Sequence, residues 1–439
     1  MSGLAPLDYL FSLEQHGIKL GLENIRALCA ALGHPEKTFK SIIVAGTNGK
    51  GSVAAIIETA LRANSLQTGR YTSPHLVRLE ERFCVNGEQI THSVFADLIR
   101  ELSEIINNLQ ESGQLETPPT FFEVTTAIAF TWFARSDVEV AVLEVGMGGQ
   151  FDATNVVTPI GAVITEVDLD HQQFLGQTLT KIAFEKSGVI KPGIVVVTAE
   201  TKPPVLEVFR RVCLERTARL IECPKQVTTD VKIQNHNTEL KLTTPQATYG
   251  PLKLSLAGRH QVQNACSAVR LLEELNGILP ISFPSIKTAL TTTSWPGRLQ
   301  LLQAGPRRHV LLDAAHNPAA ASALGSYLGE MYPQKLPLVF ASSRDKDVNG
   351  IIRVLLPHIT KVICVQLKTS RTWSATELSA SIAANHPGIA TTTSDSPQAA
   401  LEAAWLEQEI AVAAGSVYLA GEIIQLLNPS TNTAEGRPR

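Results

Sequence analysis

Cysteine is scarce and scattered in this 439-residue chain: six residues, at 29, 84, 213, 223, 266 and 364, form no CxxC pair and no cysteine-histidine spacing suited to zinc. That excludes a disulfide framework and a thiolate metal site, and predicts reduced, mostly buried thiols. An excess of one charge is also missing. Lys plus Arg number 38 against 41 for Asp plus Glu, a formal net charge of −3, so no basic surplus calls for nucleic acid or anionic lipid. No apolar run approaches a membrane span, and the opening MSGLAPLDYLFSLEQHG has no basic region leading into an apolar one. The expectation is a cytoplasmic protein, monomeric, with neither nucleic acid nor membrane as partner.

What is present is a folded chain's balance, 44% hydrophobic and 18% charged residues. At roughly 150 residues per domain, the length suggests two or three domains with sizeable cores. An apolar strand over Ile42–Ala45, a glycine-rich turn, and a helix with Val53, Ile56, Ile57, Ala60 and Leu61 on one face open an α/β sheet. Apolar runs at Glu139–Val145 and Ile160–Val167 suit parallel strands buried on both faces. From Arg219 to Ala257 the period changes to alternation between turn residues, predicting a small antiparallel patch, and a helix follows over His260–Leu275. Pro296 and Gly297 punctuate the chain before the pattern resets, which sets the expected domains at 1–295 and 296–429, with 430–439 a frayed tail. The second domain reads as Rossmann-like, with strands near Val310–Leu312, Leu336–Phe340, Val362–Val365 and Val417–Leu419.

The strongest local signal is GTNGKGS, Gly46–Ser52, between strand and helix. Glycines let backbone amides turn toward phosphate oxygens, the helix start offers unpaired N–H groups, and Lys50 can reach terminal phosphates. Its spacing departs from the usual phosphate-loop pattern, because Gly51 intervenes before Ser52. The alternative is a plain strand-to-helix turn. Glu144 ends the run EVAVLE at the same sheet edge, where a lone carboxylate needs a cation or donors. Magnesium ligation is one reading and capping of the following glycine turn the other. His171 follows the strand GAVITEV at that edge, and Lys186 lies near a helix end at Gly188, where meeting the helix dipole is as good a reading as function.

In order along the chain, GTNGKGS (46–52), YTSPHL (71–76), TFFEVTTAIAF (120–130), LEVGMGGQFDATN (143–155), DHQQFLGQTL (170–179), EKSGVIKPG (185–193), HQVQNA (260–265), WPGRLQ (295–300), DAAHNP (313–318) and DKD (345–347) resemble the folylpolyglutamate synthase and dihydrofolate synthase family of the Mur-ligase superfamily. The resemblance implies an ATP-binding, phosphate-loop Mur-ligase-like domain with an antiparallel β patch, then a Rossmann-like glutamate ligase domain. It implies an ATP-dependent ligase joining L-glutamate to dihydropteroate and to reduced folates through an acyl phosphate. By that resemblance Thr47, Asn48, Gly49, Lys50, Gly51 and Ser52, with Asn264, Arg298 and Asp313, hold ATP. Ser73, Glu144, His171 and Lys186 fall on magnesium positions, Lys186 as an N6-carboxylysine, with a monovalent cation as a further candidate. Thr120, Phe121, Phe122, Glu123, Phe151, Asp152 and Ala153 fall where the pterin binds, and His316 faces the incoming glutamate. Lys50, His171, Lys186 and His316 are the expected catalytic set. Gln150 and Phe151 stand where relatives commonly carry arginine and leucine, which implies a differently shaped pterin site. Two other readings stay open: a Mur-type ligase for another carboxylate, and a nucleotide-binding protein without turnover.

Overall fold

The computed structural model describes residues 5–17, 19, 21–369 and 371–428, so the expected tail lies outside the described residues. The first sheet contains β1 (Lys40–Ala45), β2 (Thr68–Tyr71), β3 (Phe83–Val85), β4 (Glu88–Gln89), β5 (Val140–Glu144), β6 (Gly161–Ile164), β7 (Val195–Thr198) and β8 (Arg219–Glu222). They lie in the order β4-β3-β2-β5-β1-β6-β7-β8. From β2 to β8 the pairing is parallel, while β3 and β4 add an antiparallel edge. On β1, Ile43 and Ala45 enter one core and Ile42 and Val44 the other, the alternation that buries a strand on both faces.

The antiparallel patch is β9 (Thr228–Gln234), β10 (Asn237–Thr243) and β11 (Thr248–Leu254). It starts later than expected. Arg219–Glu222 belongs instead to the parallel sheet as β8, because Val195–Thr198 offers it a matching parallel register. Residues Thr293–Leu299 then lead from the helix Phe283–Thr292 into the third sheet.

That sheet contains β12 (Gln300–Gly305), β13 (Arg308–Leu312), β14 (Leu336–Phe340), β15 (Ile359–Val365), β16 (Ala390–Ser394) and β17 (Ile410–Ala414), ordered β12-β13-β17-β14-β15-β16. It is mixed, since β12 and β13 form an antiparallel hairpin while the others run parallel. The expected strand at Val417–Leu419 is a helix, Val417–Leu427. The strand is the preceding run IAVAA. Gly415 ends it at φ 101°, and Ser416 caps the helix by accepting from the Tyr418 N–H. A three-residue apolar run carries no period, so only the cap separates the two readings. The six cysteines are free and buried, as expected. Among the described residues no helix is long and apolar enough to cross a membrane.

Candidate active site

The first sheet reverses direction of chain progress at β1, which β5 and β6 flank in parallel. In open α/β sheets the crevice beyond such a switch point binds ligands. Gly46–Ser52 leaves β1 into that crevice. Gly46 and Gly49 adopt φ of 140° and 86°, which glycine alone enters freely. Both are also crowded: a Cβ on Gly46 would lie 1.8 Å from Thr165 Oγ1, and one on Gly49 2.3 Å from Asn264 Oδ1. Gly49 caps the helix Lys50–Ala63, whose first N–H groups have no intrahelical acceptor and border the cavity. Thr47 is committed elsewhere. Its N–H donates to Glu166 O at 2.8 Å, and its hydroxyl accepts from Asp168 N at 3.0 Å, which ties the Asp168–His171 loop to the phosphate loop.

One cavity gathers Gly46–Ser52 with Ser73, Glu144, His171, Lys186, Asn264, Arg298, Asp313 and His316. Glu144 ends β5 opposite Val44, and its Oε2 accepts from the Ser73 N–H at 3.1 Å. Burial raises its pKa against the opposing charge of Lys50. Lys186 ends the helix Leu179–Ser187, yet its Nζ donates to Gly46 O at 2.7 Å, on the phosphate loop. That decides against a lysine meeting its own helix's carbonyls. Burial, reinforced by Lys50, pushes its pKa down to about 7. His171 and His316 are each drawn down to about 4 by burial and then by Lys346, so both imidazoles are neutral at pH 7. The Nδ1 of His316 sits 2.9 Å from Ala314 O, which assigns its proton to Nδ1. Asp313 accepts from Leu299 N at 2.8 Å and Ala315 N at 2.9 Å.

A divalent cation fits the Glu144 corner. Among the described residues Glu144 is a buried carboxylate without an ion-pair partner in hydrogen-bond range, His171 is a neutral imidazole, and Ser52 Oγ is buried with no hydrogen-bond partner. Among the described residues no three His, Cys, Asp or Glu side chains form a metal cage. The donor set is therefore open, as it is where substrate phosphates complete a magnesium shell.

A second cavity, about 700 Å³ and within the range of small-molecule sites, adjoins the first and shares Ser73, Pro74, His171 and His316 with it. Thr120, Phe122, Glu123, Phe151, Asp152 and Ala153 line it. Phe121 does not. It stacks on Phe11 with ring centroids 6.2 Å apart, and the guanidinium of Arg82, which does line the cavity, lies over its ring. Thr120 and Glu123 form a reciprocal capping box for the helix Phe121–Arg135, and Asp152 accepts from the N–H groups of Met147 and Thr154, each at 3.0 Å. Their carboxylates are thus engaged with backbone, while Phe151 is left 38% exposed toward the opening.

Comparison with known proteins agrees with this geometry. Residues 44–272 match the Mur ligase middle domain and 297–417 the Mur ligase glutamate ligase domain. The dihydrofolate synthase/folylpolyglutamate synthase of Bacillus subtilis is 36% identical over 77% of this chain and 79% of its own length. The Mycobacterium tuberculosis folylpolyglutamate synthase complexed with ADP superposes with a TM-score of 0.90 at 30% identity, covering 99% of both chains. A bifunctional folylpolyglutamate synthase/dihydrofolate synthase with Mn, AMPPNP and L-glutamate bound gives a TM-score of 0.83 at 28% identity, covering 97% of this chain and 98% of that one.

The chain belongs to the folylpolyglutamate synthase and dihydrofolate synthase family of Mur ligases.

Asp170, Asn317, Lys346 and Trp295 of this family member were given no role from sequence, although Asn48, which Asn317 meets, was. Asn48 and Asn317 exchange amide hydrogen bonds at 3.2 and 3.0 Å, and Asn317 also donates to Asp170 Oδ2 at 3.1 Å. Lys346 pairs with Asp170 Oδ1 at 2.6 Å. Burial works against the Asp170 charge, but Lys346 beside it holds the carboxyl well below the usual carboxylate range. These contacts join the phosphate-loop side to the third-sheet side across 147 to 269 residues of sequence, which no local pattern announces. Trp295 is another. Its indole packs on Gly51, where a Cβ would come within 2.5 Å of the ring, and the Arg70 guanidinium lies 5.1 Å from the ring centroid.

Proposed function

We propose that this family member is a bifunctional ATP-dependent ligase, adding L-glutamate to dihydropteroate and then further glutamates to reduced folates. The observation that carries this reading is the junction of two cavities at Ser73 and Pro74, one holding the phosphate loop and the other all the residues assigned to the pterin but Phe121. A carboxylate extended from the second cavity meets a γ-phosphate in the first. Its oxygen attacks phosphorus, ADP leaves, and the acyl phosphate forms with Lys50 placed to offset charge on the transferring group. The glutamate amine then attacks the acyl carbon, loses a proton, and inorganic phosphate departs as the amide forms. Magnesium, when bound, supplies charge neutralisation for the phosphates, and Ser52, Ser73, Glu144, His171 and a carbamylated Lys186 are the residues that would hold it. A Lys186 amine whose pKa burial lowers to about 7 supports carbamylation, since only the free amine adds carbon dioxide. Asn264, Arg298 and Asp313 border the nucleotide from the far side, and neutral His316 faces the incoming glutamate.

The reading places the domain division at 295/296, between the two family-model matches. It places the enzyme in the cytoplasm as a monomer. One chain supplies every wall of both cavities, and the near-neutral charge supports small anions rather than nucleic acid as partners.

The test is phosphate release from ATP with L-glutamate and either dihydropteroate or a reduced folate. Turnover is expected with both, and lost on chelation of divalent metal. Turnover with one alone removes the second activity, and turnover with neither overturns the reading.

A further inference from the structure

The second cavity holds a buried cation that the ligation chemistry above does not use. Arg82, 7% exposed, ends the short helical turn Leu79–Arg82 and lines the cavity wall beside Ser73 and Pro74. Its Nε donates to His75 Nδ1 at 3.0 Å, and its guanidinium lies 5.2 Å from the Phe121 ring centroid. Among the described residues it forms no ion pair. The acid whose charge reaches it, Glu14, is itself paired with Arg371 at 2.5 Å.

The other cations of this cavity are accounted for. Arg344 pairs with Glu377 at 2.7 Å, Lys346 with Asp170 at 2.6 Å and Arg371 with Glu14 at 2.5 Å, while Lys19 is exposed and reached by water. Arg82 alone is both buried and without a carboxylate. An imidazole nitrogen, the Tyr71 hydroxyl and a ring face, none of them a carboxylate, offset only part of the cost of desolvating a guanidinium. Removed from water on a substrate wall, its fork geometry matches a carboxylate.

We infer that Arg82 receives the α-carboxylate of a glutamyl residue already attached to the pterin substrate, and so favours folate elongation over ligation to dihydropteroate. This rests on the ligase reading above and names what separates its two activities. Dihydropteroate has one carboxylate, which must lie at the γ-phosphate. A glutamylated folate presents its γ-carboxylate there and has an α-carboxylate left over, within the reach of one side chain. The Thr72 N–H donates to Arg82 O at 3.0 Å, which sets Arg82 next to Ser73 and Pro74, where the two cavities meet, and its guanidinium lies over Phe121 at the start of the helix Phe121–Arg135. His316 and Lys346 both lie against Asp170, at 3.7 and 2.6 Å, while Arg82 lies over Phe121, so the tail of the bound folate, rather than the incoming amino acid, is the carboxylate assigned to Arg82.

The experiment compares full-length wild type, Arg82→Met and Arg82→Lys for KM and kcat with dihydropteroate, with tetrahydrofolate and with L-glutamate, after thermal unfolding has established that each variant folds. Arg82→Met should raise KM for tetrahydrofolate at least about tenfold more than for dihydropteroate, the loss expected for one charge-assisted pair, and Arg82→Lys should recover part of it. Equal effects on both pterins, or none, overturn the assignment. A rise confined to the KM of L-glutamate with both pterins overturns it in favour of the incoming amino acid. A measurement on wild type alone removes any dependence on variant folding: a folate whose tail α-carboxylate is replaced by a carboxamide should bind at least tenfold more weakly than its parent, and equal binding overturns the inference. Absence of wild-type turnover with either pterin is the separate result that defeats the ligase reading itself.

Discussion

Lys186 shows how a single residue takes its character from its surroundings. In the folded chain its amine is about half neutral near pH 7, whereas in the unfolded chain it titrates in the ordinary lysine range. Between those values the unfolded state binds the extra proton, so folded stability rises as pH climbs through that window, and the slope vanishes below about 7. In metal-free, carbon-dioxide-free buffer, wild type should therefore gain stability relative to Lys186→Met as pH rises from 7 toward 10, by at most about 1.4 kcal/mol per pH unit. Urea unfolding at several pH values reads this directly, and parallel curves for the two proteins would refute a neutral buried amine. Gly49 makes a second case. Its φ of 86° and the Asn264 oxygen 2.3 Å from a hypothetical Cβ leave no room for a side chain. Gly49→Ala should lower ATP affinity at least tenfold by titration calorimetry and cost about 1–2 kcal/mol of stability. Gly277→Ala, with nothing within 4 Å of the added methyl and no left-handed φ, should change neither.

At the scale of elements, function depends on where helices begin. Thr120 Oγ1 accepts from the Glu123 N–H at 3.2 Å, and Glu123 Oε2 accepts from the Thr120 N–H at 2.7 Å, closing the capping box that aims the helix Phe121–Arg135 at the second cavity. Thr120→Ala should cost about 1 kcal/mol in urea unfolding and raise KM for the pterin without a matching fall in kcat. A larger fall in kcat than rise in KM would show that Thr120 acts in the chemical step. The helix Lys50–Ala63 is placed by the opposite means. Its cap contributes no side-chain bond, and its register is fixed by burial of Val53, Ile56, Ile57, Ala60 and Leu61 against the sheet.

At the scale of the whole molecule, the active site exists because two sheets meet. Asp170 bonds both Lys346 and Asn317, and Asn317 bonds Asn48 of the phosphate loop. Breaking a buried ion pair from one side leaves the other charge stranded. Asp170→Asn and Lys346→Met should each lower kcat/KM for ATP at least tenfold, with the double variant far less than additive. Additive losses would show that the two residues act independently. Much of this molecule was legible beforehand. The strand-turn-helix around Gly46–Ser52 and the apolar strands of the first sheet follow from local pattern, because backbone propensity and side-chain period act over a few residues, while Ser73, Asn264, Arg298, Asp313 and His316 around the first cavity were marked by the family resemblance. Where periodicity ran short, at Arg219–Glu222 and Val417–Leu419, local signals were ambiguous, and strand pairing or a single serine cap decided the outcome. The sequence alone determined a phosphate loop in an α/β sheet, with candidate residues for ATP, metal and pterin. Only tertiary structure decided that Lys186 reaches Gly46, that Phe121 stacks on Phe11 and Arg82 instead of lining the cavity, that Asp170 joins the two halves and that Arg82, among the described residues, is buried without an acid. The physical reason is that desolvation and charge pairing depend on neighbours in space, which this chain brings together from positions more than a hundred residues apart.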